Sequence, residues 1–256
     1  MKKPLKKTFK WTTGLLLAAF AVSACNSGVL QDTENESSPS SQTVAWNQYQ
    51  PPNRGAPGRT QDAGSRPLCP KVEKPFTALS PSTNWGETLE AHPTVWLYIP
   101  ENTHSVRLIL RDEPTQTEIY RTTFPLTAQK GIGRFSLPAE APPLDPNRLY
   151  NWQFDLICDA ENSSRFRVSG IVVRREPSEA LKTQLQAALP PARVNLLAAE
   201  GLWFDAVTAL AQQRLASPQE STLQTGWESL LHHADVGLNQ FSGEDVLECC
   251  EAISED

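Results

Sequence analysis

The stretch YNWQFDLIC, residues 150–158, constrains the fold more than any other. Tyr150, Trp152, Phe154, Leu156 and Cys158 occupy every second position, with Asn151, Gln153 and Asp155 between them. A period of two places the first set on one face of a strand and the second on the other, whereas a helix would scatter both around its circumference. One face of this strand therefore belongs to a core. SVRLILRD repeats the pattern, with Val106, Leu108 and Leu110 opposed to Arg107 and Arg111. TVWLYIP, TEIYRTTF, GIGRFSLP and RFRVSGIVVRR are further short apolar runs, and PENTH, RDEPTQ, DPNR and DAENSS between runs carry turn residues. Successive strands with no helices between them predict an antiparallel β-sandwich over 67–176, immunoglobulin-like in arrangement; a small barrel would have the same signature.

After REPS the periodicity becomes helical. Ser178 is placed to cap a helix whose stripe is Leu181, Leu185 and Ala188 or Leu189, and Pro190 and Pro191 end it. Further helices are expected from about 192 to 218 with a break near Gly201, from 218 to 231, and over 243–253. Gly201, Trp203, Ala206, Leu210 and Pro218 resemble the second helix of a tetratricopeptide repeat, and Trp227 with Leu230 the opening of the next. Fewer than three repeats do not make a free-standing solenoid, so these hairpins over 177–253 are expected to pack on the sandwich. The fold class read from the pattern is α+β, mainly β.

The front of the chain has a different character. Lys2, Lys3, Lys6, Lys7 and Lys10 precede an apolar run from Gly14 to Ala24. That run is much shorter than the roughly 20 residues a membrane span requires. It has the layout of a signal peptide, assigned to 1–24. Val22-Ser23-Ala24-Cys25 is similar to a bacterial lipobox, which makes Cys25 the expected lipidated N-terminus. Acyl chains contribute about 0.8 kcal/mol per buried methylene, and two or more hold firmly. The protein is therefore expected to be exported and lipid-anchored in the cell envelope, and Asn26 after the cysteine resembles lipoproteins sent to an outer membrane. Residues 25–66 are rich in Ser, Asn, Gln, Pro and Gly and are read as a disordered tether.

Export would place the remaining cysteines in an oxidising compartment. Four cysteines allow three pairings. Cys69 and Cys158 are the expected disulfide; Cys249 and Cys250, as neighbours, do not pair easily with each other, and their partners are left open. Removing the five leader lysines from 23 basic residues leaves 18 against 29 acidic, a formal charge of −11. Such a chain is poorly suited to neutralising phosphates, so nucleic acid is excluded as a partner.

Seven blocks in order, RPLCP, TALSP, HPTVWLYIP, GIGRFSLP, LYNWQFDLICD, VSGIVVR and GLWFDAVTAL, resemble the cyanobacterial domain-of-unknown-function family numbered 928 over about residues 53–240. The resemblance implies an exported protein and lends no catalytic residues. Where that family carries a glycine–tryptophan pair in its last strand, this chain has Gly170-Ile171.

The chain carries no G-x-S-x-G elbow, Walker loop, H-E-x-x-H or C-x-x-C. His232 and His233, adjacent on a helix, point about 100° apart and do not share a metal face. Asp155 and Asp159 flank a strand end, as chance pairs among 29 acids do. Asn162-Ser163-Ser164 matches a glycosylation sequon and reads as a hairpin loop. TVWLYIP is apolar on both faces, so Trp96 and Tyr98 are either covered by the helices or form a candidate binding surface. No metal, cofactor or enzymatic activity is expected. The expected role is a membrane-anchored lipoprotein that binds or assembles another envelope protein. The alternatives are a carbohydrate- or lipid-binding module, with Trp85 or Trp96 lining a groove, and a hydrolase of a cell-envelope polymer.

Overall fold

Eight strands form two sheets in a computed structural model that describes residues 46, 49–55, 58–61, 69, 72–127, 130–159 and 165–252. The strands are β1 (Thr77–Ala78), β2 (Trp85–Thr88), β3 (Thr94–Ile99), β4 (Ser105–Asp112), β5 (Glu118–Pro125), β6 (Gly131–Ser136), β7 (Leu149–Ile157) and β8 (Arg165–Arg174). One sheet runs β1-β3-β6 and the other β2-β8-β7-β4-β5. The alternation of the longest strand sets the register: Val106 lies opposite Leu156, Leu108 opposite Phe154 and Leu110 opposite Trp152, and Phe154 lies opposite Val168. All of these are buried. Across the sandwich Val95 and Phe135 of the smaller sheet meet Leu108, Trp152 and Phe154.

The other face of the smaller sheet is covered by helices, so the body has three layers. The helices are α1 (Glu179–Ala187), α2 (Pro190–Ala199), α3 (Trp203–Ala216) and α4 (Ser221–Leu231), followed by a 3-10 turn at Asn239–Phe241. Ser178 caps α1, accepting from the Leu181 amide at 3.2 Å. Trp96 is 1 % exposed and Tyr98 3 %. The indole Nε1 of Trp96 donates to Thr208 of α3 at 3.1 Å, and the Tyr98 ring lies 4.9 Å from that of Phe241. Trp96 and Tyr98 are thus interior residues of this chain, and the reading of them as a binding surface is corrected. An apolar strand in the middle of three layers needs apolar side chains on both faces.

Four further expectations change. The larger sheet is mixed, because β2 pairs parallel with β8 (Trp85 opposite Ile171, Thr88 opposite Arg174). Residues 243–253 were expected to be helical, but the described part forms no helix and its residues 245–247 bridge to β6: the Ile132 amide donates to Asp245 O at 2.8 Å and the Leu247 amide to Ile132 O at 2.9 Å. Pairing beside β6 overrides the local helix preference of this stretch. The tether reading fails for the described residues of 46–61. Trp46 and Tyr49 are buried in the core, and a Cβ on Gly226 of α4 would lie 2.6 Å from the Trp46 ring. Pro190 opens α2 instead of only closing α1, a position where its missing N–H costs no helical bond.

Cys69 and Cys158 are disulfide-bonded with Cα atoms 5.5 Å apart. Cys249 and Cys250 are bonded to each other, contrary to expectation. Closing a ring between neighbours needs an unusual backbone, and Cys250 supplies it with φ 147°. The leader 1–24 and Cys25 lie outside the described residues, as do Asn162, Ser163 and Ser164.

Candidate functional site

The turn after β2 (residues 88–94), the α1–α2 corner and the exposed side of α3 enclose an open groove of about 660 Å³. That volume is in the range of small-molecule and peptide sites. Leu197 and Phe204 supply an apolar floor, while Glu90, His92, Arg193, Asp205 and Gln212 supply polar groups. Leu189, between α1 and α2, is 75 % exposed and is the one large apolar side chain among the described residues left fully in solvent. Its neighbours Ala188 and Pro190 both line the groove.

Asp205 sits in the first turn of α3, where a carboxylate complements the helix amides. Its oxygens accept from the Leu89 amide at 3.1 and 3.3 Å, and the Thr88 hydroxyl also donates to it. The Glu90 amide in turn donates to Thr88 Oγ1 at 3.0 Å. These bonds favour the ionised form, but loss of water around the carboxyl outweighs them and, with Glu90 nearby, pushes its pKa up to about 7. The side chain joins the strand layer to the helix layer and carries a proton that is labile near neutrality. His92 Nε2 lies 3.0 Å from Ala141 O; a carbonyl only accepts, so Nε2 bears a hydrogen and donates.

The residues singled out from sequence lie elsewhere. Trp85 is buried on the outer face of the larger sheet, with the Arg54 guanidinium 5.8 Å from its ring centre. Neither Trp85 nor Trp96 offers an open aromatic platform. Asp155 is held by Arg167 through two bonds of 2.6 and 3.0 Å and by the Gln153 amide, as a structural carboxylate. His232 Nε2 is 3.0 Å from Ser242 Oγ and His233 Nδ1 is 3.6 Å from Asp235. Among the described residues no group of three or more His, Cys, Asp or Glu is placed to hold a metal, and no helix is long and apolar enough to cross a membrane. Asp205 was not found by sequence reasoning. Its one signal was its isolation as the only charged residue in GLWFDAVTALA.

A family model described as Domain of Unknown Function (DUF928) matches residues 61–246, which span β1 to β8, all four helices and the groove. No curated protein matches the chain.

Proposed function

The chain belongs to the DUF928 family, and from that premise we propose that it is an exported lipoprotein, held at a membrane of the cell envelope through Cys25, whose body docks another envelope protein. The outer membrane is the proposed site of the anchor. The groove takes an extended segment of the partner, with apolar side chains of that segment against Leu189, Leu197 and Phe204 and its backbone amides facing Glu90, His92 and Gln212. The observation that carries this reading is the coincidence of an open groove with the one exposed large apolar side chain of the described residues. Solvent-exposed apolar surface beside a concave polar rim is the usual composition of a docking site. The immunoglobulin-like description is part of the proposal. It is supported by the split of strands into β1-β3-β6 and β2-β8-β7-β4-β5, in which the chain passes between sheets as such sandwiches do. The tetratricopeptide-like description is supported by the packing of α2 against α3 on either side of Gly201.

Two measurements test this. Mass analysis of the mature N-terminus and membrane fractionation of wild type and Cys25→Ala test the anchor: an acylated Cys25 and release of the variant are expected, and equal membrane recovery contradicts it. Affinity capture with wild type and Leu189→Asp tests the groove: a partner retained equally by both contradicts it.

A second reading, hydrolysis of an envelope polymer, is favoured by one observation. Asp205, with its pKa near 7, shares the groove with Glu90, and a general acid needs a carboxyl still protonated near neutrality. Release of reducing ends or peptides from envelope polymer by wild type but not by Asp205→Asn would establish it.

A further inference from the structure

Cys249 and Cys250 are joined across a single peptide bond. A disulfide stabilises a fold chiefly by closing a loop in the denatured chain. Cys69–Cys158 closes one of 89 residues; Cys249–Cys250 closes none, so its effect is local.

That local effect has three parts. The bond holds Cys250 at φ 147°, a backbone that side-chain-bearing residues rarely adopt. It places both sulfurs on β6 at Gly133, where a Cβ would lie 3.0 Å from Cys249 Sγ, 3.1 Å from Cys250 Sγ and 2.8 Å from Ile99 Cδ1 of the neighbouring strand. And it ends the stretch that pairs with this edge strand through the amides of Ile132 and Leu247. Two cavities, of about 520 and 750 Å³, flank the pair. The first runs along Tyr120, Thr122 and Phe124 of β5, the second reaches Leu215 of α3, and both are bounded by Arg134 and residues 250–252. The tail is therefore a partition on the open side of the sandwich, between the edges of the two sheets.

We propose that Cys249–Cys250 is a two-electron redox latch that opens this side of the sandwich on reduction by a dithiol. A thiolate of the reductant attacks the sulfur of Cys249, the less buried of the two residues, forming a mixed disulfide and releasing Cys250 as a thiolate. The reductant's second thiolate then displaces Cys249. The protein S–S bond is replaced by two thiols, which take up two protons, and the dithiol leaves as its own disulfide. Without the ring, Cys250 returns to an ordinary backbone, the sulfurs leave Gly133, and the two cavities join. Reoxidation restores the partition. The latch is independent of the anchor and of the groove beside Leu189.

The test uses the full purified chain, poised with dithiothreitol so that mass mapping shows Cys249 and Cys250 reduced while Cys69–Cys158 is intact. Hydrogen exchange of the Ile132 and Leu247 amides is then compared between the two states. The latch predicts exchange at least tenfold faster in the reduced state, with α2 and α3 unchanged. The double variant Cys249→Ser/Cys250→Ser, which leaves β6 untouched, is expected to show the same fast exchange without reductant. Equal exchange in the oxidised chain, the reduced chain and the double variant would overturn the proposal. So would mass mapping of the air-oxidised protein that finds these two cysteines unbonded or bonded elsewhere.

Discussion

The indole of Trp96, in the middle strand of the smaller sheet, donates to the hydroxyl of Thr208 on α3 across 3.1 Å. This bond, with that from Trp203 Nε1 to Leu79 O at 2.8 Å, fastens the helical layer to the sandwich. Thr208→Val keeps the shape and removes the acceptor, and should cost about 1 kcal/mol. Trp96→Ala empties a site filled by a ring that is 1 % exposed and should cost about 3–5 kcal/mol. Urea unfolding followed by both tryptophan fluorescence and far-ultraviolet dichroism checks this, and the two probes should report one transition because the layers share a core.

Asp205 makes stability depend on pH in an unusual direction. Its carboxyl titrates near 3.8 when unfolded and at about 7 when folded. Between those values the folded chain holds a proton that the unfolded chain has released, so stability from this group is complete below pH 3.8 and is lost as pH rises towards 7. The loss is at most ~4 kcal/mol, and less in proportion to the water that reaches the groove. Asp205→Asn keeps an acceptor for the Leu89 amide and should flatten the pH profile of urea midpoints between about pH 4 and about 7.

Asp112 works in the opposite sense. Arg148 Nε donates to it at 2.7 Å, and the Thr115 hydroxyl and amide add further bonds. These partners hold its pKa down at about 2, against 3.8 unfolded. Its contribution is present above pH 3.8 and is lost as pH falls towards 2. Arg148→Ala should lower the urea midpoint at neutral pH, and the difference from wild type should shrink as pH falls from about 4 to 2.

The disulfide between Cys69 and Cys158 spans 89 residues. The chain-entropy relation gives about 4–5 kcal/mol for a loop of that length. Cys69→Ser/Cys158→Ser should lower the urea midpoint accordingly, while reduction of Cys249–Cys250 alone should leave it almost unmoved.

How much of this was legible in the sequence depended on whether the structure was built from near neighbours. β3 to β8 follow from alternation that a reader can count, as in Tyr150, Trp152, Phe154 and Leu156. β2 was missed because Trp85-Gly86-Glu87-Thr88 has no apolar alternation; it exists through parallel pairing with Ile171–Arg174. Residues 245–247 carry helical composition and instead run beside Ile132, a partner more than a hundred positions away. The groove was hidden for the same reason. Asp205 meets Leu89 across 116 positions, and nothing local in either segment marks the other. Trp96 and Tyr98 were visible as an anomaly, a strand apolar on both faces, and the third layer explains it.

The most direct test of the docking account is photo-crosslinking in intact cells from position 212, on the groove side of α3, compared with position 179, exposed at the start of α1. One discrete adduct from 212, absent from 179 and lost with Leu189→Asp, is the predicted result. No adduct from 212, or the same adducts from both positions, would contradict it.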